Sequence, residues 1–252
     1  LEMPQARKGW VLVKIIAFGM NHSELVLRVN EIRADYINKP VVPGIEWTTF
    51  YGHVVIIAPE KFVEWRDLNT DNLDSHLRAV HEANGLVQMA HPFCPGEPFC
   101  CGCHWNFQIP DWQQIDIIEV WSEGDPDLTS WNAKAYSLWK NKWKEGFRPM
   151  AISARDWHDD ADSKTVFGVN YLYIDETLPF TDAVKDAMRK NRAYMTAGPT
   201  LSFSAKSENR YYGIGDTIPT EKFDLSILIR ARERIDVWEP YELQPEEIVL
   251  IN

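Results

Sequence analysis

The residues able to do chemistry fall at the ends of three apolar runs. The first is Val41-Val42-Pro43-Gly44-Ile45-Glu46, followed seven residues later by His53. Its β-branched residues suit a short buried strand, with Pro43 and Gly44 marking a bend or a close backbone approach. Glu46 then falls at the strand end. The second run is Gly85-Leu86-Val87-Gln88-Met89, leading into Ala90-His91-Pro92-Phe93. The third is Ala151-Ile152-Ser153-Ala154, leading through Arg155 into Asp156-Trp157-His158. Singly, each histidine reads as a satisfied structural residue and Glu46 as a solvated carboxylate. Three successive strand ends that each deliver a carboxylate or an imidazole point instead to a divalent-metal centre.

Those positions need a scaffold that brings them together. Helical spacing over 24–37 (Leu25, Val29, Ile32, Tyr36), 71–83 and 131–145 alternates with strand-like runs at 11–18, 115–120, 149–154 and 169–174. Ser130 is placed to cap the third of these helices, and Thr181 a fourth over 182–191. Alternation of this kind argues a parallel sheet with crossover helices, and the candidate ligands fall at strand C-terminal ends. From about residue 200 only short strand-like runs remain, at 201–205, 223–229, 235–238 and 248–251. They read as a small β appendage.

The ordered set Pro43-Gly44-Ile45-Glu46, Gly52-His53, Ala90-His91-Pro92 and Asp156-Trp157-His158 resembles the PHP (polymerase and histidinol phosphatase) family. It is most similar to the stand-alone phosphoesterases that include carbaryl-hydrolase-like proteins. Ile118-Glu119-Val120-Trp121, the helix from Asn132 to Trp139 and Arg192–Pro199 fit that branch, and the resemblance spans roughly residues 6–203. It implies an α/β fold, a PHP-type distorted (β/α)7 barrel over 1–197, with 198–252 as the small C-terminal β appendage. It also implies a metal-dependent hydrolase using zinc, manganese or iron. Glu46 would bridge two metals, His53 and His91 would complete one site, and Asp156 would join Glu46 at a second. His22 and His158 would belong to a third site. Met20-Asn21-His22-Ser23 stands where the family has Thr-Asp-His-Asn, and the family's opening His-x-His has no counterpart. Leu1 is not an initiator methionine, so the true start is expected to lie upstream.

The implied substrate is a small molecule, foremost a phosphate ester. Carbamate or carboxyl ester hydrolysis on the same site is the alternative, and a non-catalytic protein with a degenerate centre is another. His158 is the candidate proton donor to a leaving group, and Asp156 the second catalytic residue. Arg155 and Arg192 could meet an anionic substrate, though a surface ion pair is the plainer reading of each.

Composition bounds these readings. The chain has 252 residues, 45% of them hydrophobic and 25% charged, which suits a folded domain with its own core. A net charge of -11 argues against nucleic acid as the partner. No apolar run reaches the ~20 residues of a membrane span. The nearest, Gly9 to Met20, is broken by Lys14. A cytoplasmic location is favoured. Cys94, Cys100, Cys101 and Cys103 lie within ten residues, next to His104. The cluster could hold a disulfide or a zinc ion, but its spacing matches no standard finger. Leaving directly from the His91 strand end, it should pack over or beside the metal mouth. Trp47, Trp105, Trp121 and Trp157 flank the motifs and could line an apolar pocket, with core packing the plainer alternative.

Overall fold

The computed structural model describes residues 42–122, 130–156 and 168–230, with the backbone of 232–233 and 242–243. His22, Trp157 and His158 lie outside the described residues. So do the expected strands at 11–18, 235–238 and 248–251 and the helix at 24–37.

The central layer is a five-stranded mixed sheet in the order β1-β2-β3-β4-β5. Its strands are β1 (Gly44–Thr49), β2 (Gly52–Ile57), β3 (Leu86–Met89), β4 (Ile117–Ser122) and β5 (Met150–Ala154). β1 and β2 form a hairpin, with Thr49 paired to Gly52. Only Phe50 and Tyr51 connect them, far short of the dozen or more residues that a parallel crossover needs. β2 is also antiparallel to β3, whereas β3–β4 and β4–β5 are parallel.

The expected (β/α)7 barrel is therefore not formed. Among the described residues β1 and β5 are the two edges of an open sheet. Among the described residues β6 (Val169–Leu172) pairs only with β7 (Ala193–Thr196), antiparallel. Its Asn170 side chain, not a strand ladder, joins β5: the amide accepts from Ser153 N at 2.9 Å and donates to Ser153 O at 2.6 Å. Glu46 is likewise not at a strand end but within β1, one strand from the sheet interior.

Both faces of the sheet are covered, which is why its inner strands read as nearly continuous apolar runs. On one face Trp47, Val54, Ile56, Val87, Met89, Ile118 and Val120 pack with Leu73, Leu77 and Val80 of α1 (Leu73–Glu82). On the other, Leu86, Ile117, Met150 and Ile152 meet Met188 of α3 (Phe180–Arg189) and Ala193. α2 (Ser130–Lys144) links β4 to β5 and adds Leu138 and Trp139 to the first cluster. α3 begins two residues before the expected Asp182, with Pro179 at its cap position and no side-chain cap. Beyond β7, β8 (Thr200–Ser207) lies between β9 (Arg210–Tyr212) and β10 (Asp224–Arg230) in an antiparallel sheet. β11 (Arg232–Glu233) and β12 (Glu242–Leu243) form a separate pair. Among the described residues no helix is long and apolar enough to cross a membrane.

Candidate metal centre

The β1–β2 hairpin places Glu46 and His53 on one face. Glu46 lies opposite Val55 and Thr48 opposite His53. Side chains two apart on a strand share a face, so Glu46 and His53 are diagonal neighbours. His53 opens β2 beside the point where β3 ends, and Ala90 N donates to His53 O at 3.2 Å. The chain leaves β3 there through His91, whose φ of 25° is unusual for a residue with a side chain. Asp156 follows the C-terminal end of β5, which is parallel to β3 through β4 and so finishes at the same end of the sheet.

These elements bring Glu46, His53, His91 and Asp156 together. His53 Nδ1 lies 2.9 Å from Glu46 Oε1, and His91 Nε2 lies 3.9 Å from the same oxygen. Asp156 Oδ2 is 3.9 Å from His91 Nε2. The two imidazoles meet edge to face, 5.0 Å apart. Both are buried, with side chains 7% and 3% exposed, while the two carboxylates form the more open mouth at 25% each. Among the described residues, neither His53 Nδ1 nor His91 Nε2, both buried, has an aligned hydrogen-bond partner. The short His53–Glu46 approach thus lacks the alignment of an N–H donor.

The far nitrogen of each ring is engaged. His53 Nε2 lies 3.1 Å from Cys101 O, and His91 Nδ1 lies 3.3 Å from Cys103 O. A carbonyl only accepts, so each ring donates there, and the nitrogen facing Glu46 is the one left to take up a proton or a metal ion. This is the outer-shell arrangement that orients metal-ligating histidines. Two ligands about 2.0–2.1 Å from a tetrahedral ion are roughly 3.3 Å apart. The observed 2.9 and 3.9 Å bracket that value. Glu46, His53 and His91 therefore fit a divalent ion as donors, in both chemistry and spacing.

The electrostatics point the same way. Burial alone would raise the Glu46 pKa, but His53 and His91 outweigh it and hold the carboxyl at about 2. Burial would likewise lower His91, yet Glu46, Glu119 and Asp156 raise it to about 9. An excess of carboxylates around the two rings favours a cation, whether a proton or a metal.

Glu119 belongs to this neighbourhood, although the sequence reading gives it no site role. It lies on β4, 2% exposed, with Oε2 accepting from Gln88 Nε2 at 3.3 Å and Oε1 without a partner among the described residues. Burial pushes its pKa up, against the opposing effect of His91. The available signal was a lone charge inside the apolar run Ile117-Ile118-Glu119-Val120-Trp121. Strand β2 at 52–57 was likewise not expected, although Val54-Val55-Ile56-Ile57 is an unbroken β-branched run.

The other candidates are placed differently. Arg192 precedes β7 and lies 3.8 Å from Asp186 and 3.9 Å from Asp216, a salt-bridge setting. Arg155 adjoins Asp156 in sequence and is half-buried. Trp47 is wholly buried, and Trp105 and Trp121 pack against the same core, so none of the three is an open pocket wall. Cys100 and Cys103 form a disulfide in the loop that lies against both histidines.

No protein-family profile matches the chain, and no curated protein matches it.

Proposed function

We propose that the protein is a metal-dependent hydrolase whose divalent ion is held by Glu46, His53 and His91, with Asp156 at the mouth. One observation carries this reading. Two buried imidazole nitrogens, without an aligned hydrogen bond among the described residues, converge on one Glu46 oxygen, while carbonyls occupy the opposite nitrogens. Packing alone gives no reason to gather two such nitrogens around carboxylates without an aligned hydrogen bond, since buried polar atoms ordinarily make one. Zinc, manganese and iron all accept this nitrogen and oxygen donor set.

A divalent ion held there supplies Lewis acidity and a water that ionises near neutrality, at a pKa of about 7 on zinc. The chain's own residues do the rest. Cys101 O and Cys103 O keep the two rings oriented. Asp156, a quarter exposed and facing His91, is placed to accept a proton or to orient a water at the mouth. The resemblance to the PHP family supports a small phosphate ester as substrate, with aryl carbamates and carboxyl esters as the competing class. His158 remains the proposed proton donor by that resemblance.

The test is hydrolysis of an aryl phosphate and an aryl carbamate by metal-depleted protein, before and after reloading with zinc or manganese. Turnover should require metal and favour the phosphate. Outer-shell changes at metal sites cost about 10–100-fold, so loss of a ligand in Glu46→Gln should cost more. Metal-independent turnover would overturn the reading. A fully loaded protein that cleaves neither class would favour a non-catalytic role.

A further inference from the structure

The cysteine loop contains a second set of ligands. Cys100 and Cys103 are separated by two residues, with Cα atoms 5.5 Å apart. A ring nitrogen of His53 and both sulfurs lie within 4.8 Å of one another. His53 and Cys103 are 5% and 4% exposed, so the set is built into the protein interior. His53 is thus common to this group and to the Glu46–His53–His91 group. Two thiolates and an imidazole are a soft donor set, suited to zinc or to cuprous copper.

We propose that, once the Cys100–Cys103 disulfide is reduced, Cys100, Cys103 and His53 form a second metal site for a thiophilic ion such as zinc. The site shares His53 with the centre proposed above but does not require that centre to be filled. The chemistry balances with a thiol reductant. The Cys100–Cys103 S–S bond breaks, an S–S bond forms between two reductant sulfurs, and their two protons pass to the cysteine sulfurs. A divalent ion then displaces both thiol protons, with no change in its own oxidation state. The loop thus gains a metal site according to the thiol–disulfide balance.

Cobalt(II) tests this in the full chain, because thiolate ligation gives a near-ultraviolet charge-transfer band that imidazole and carboxylate ligation does not. Oxidised wild type should bind cobalt without the band. After reduction by a phosphine the band should appear, with zinc abolishing it in competition. Glu46→Gln and Cys101→Ser should keep it. Cys103→Ser should lose it, and Cys100→Ser, at a less buried position, should lose it too and guards against misfolding of the first variant. A reduced wild type without the band, or a band that survives both substitutions, overturns the proposal. The two centres fail separately: an oxidised wild type that takes up no cobalt counts against the first, and a reduced one without the band against the second.

Discussion

At the scale of residues, the two histidines are oriented to accept a metal ion because their far nitrogens are already occupied. That arrangement depends on Gly102, between the two carbonyls that hold the rings. Its φ is +74°, and an added Cβ would come within 1.8 Å of Thr49 O at the hairpin end. Left-handed backbone costs a residue other than glycine about 1 kcal/mol or more, and this overlap can be relieved only by moving main chain. Gly102→Ala should therefore destabilise the protein by more than that amount. It should also weaken zinc binding by roughly 10–100-fold, as loss of outer-shell support does elsewhere. Chelator competition on the folded variant checks the second effect. A separate titration lies at His81, whose Nε2 is 2.8 Å from Asp116 Oδ2 and whose Nδ1 is 3.0 Å from Gln114 Oε1. The hydrogen bond to Asp116 raises its pKa, against burial. The stability His81 contributes is fully present below the unfolded value of about 6.5 and is lost as pH rises through the raised folded value. Urea unfolding of wild type and His81→Gln across that range should show the difference between them shrinking as pH rises. A constant difference would contradict the charged pairing.

Among the residues that the fold brings together, Glu46, His53, His91 and Asp156 stand out in the sequence because each follows or interrupts a short apolar run with a motif of its own. Glu119 was not, because a single charge within a strand says nothing about which neighbours a sheet will bring to it. The sharing of His53 between two ligand groups depends on a loop returning across the hairpin, and no local spacing encodes that.

At the scale of elements, side-chain amides do at β4 and β5 what a further strand would otherwise do. Asn132 of α2, 3% exposed, accepts from Ser122 N at 3.0 Å and donates to Ser122 O at 3.2 Å. Asn132→Ala would leave both main-chain groups buried without partners, at a cost of about 1–3 kcal/mol. Chemical denaturation reads this directly, and a loss below ~0.5 kcal/mol would mean that water replaces the amide. Element types were largely visible in the sequence. The helices at 73–82, 130–144 and 180–189 follow apolar periodicity, and β3 to β5 follow their apolar runs. Strand direction was not. The alternation of helices and strands suggested a parallel barrel, but the two-residue connection at Phe50-Tyr51 compels an antiparallel hairpin. β2 and β3 then pair antiparallel despite the helix between them. Connection length settles the first pairing; the second depends on tertiary packing that periodicity does not report.

At the scale of the whole molecule, an open sheet covered on both faces leaves its polar functions to one end, where the hairpin, the β3 exit and the β5 exit meet. Metal should couple that end to global stability. A ligand at a hundredfold excess over its dissociation constant stabilises the folded state by about 2.7 kcal/mol, so zinc or manganese should raise the melting temperature measurably. The central claim is that the Glu46–His53–His91 group holds a divalent ion. Elemental analysis of purified wild type and His91→Ala, both oxidised and both shown to be folded, tests it most directly. One equivalent of metal per wild-type chain and a clear loss in His91→Ala is the expected result. Equal metal content in the two proteins would contradict it.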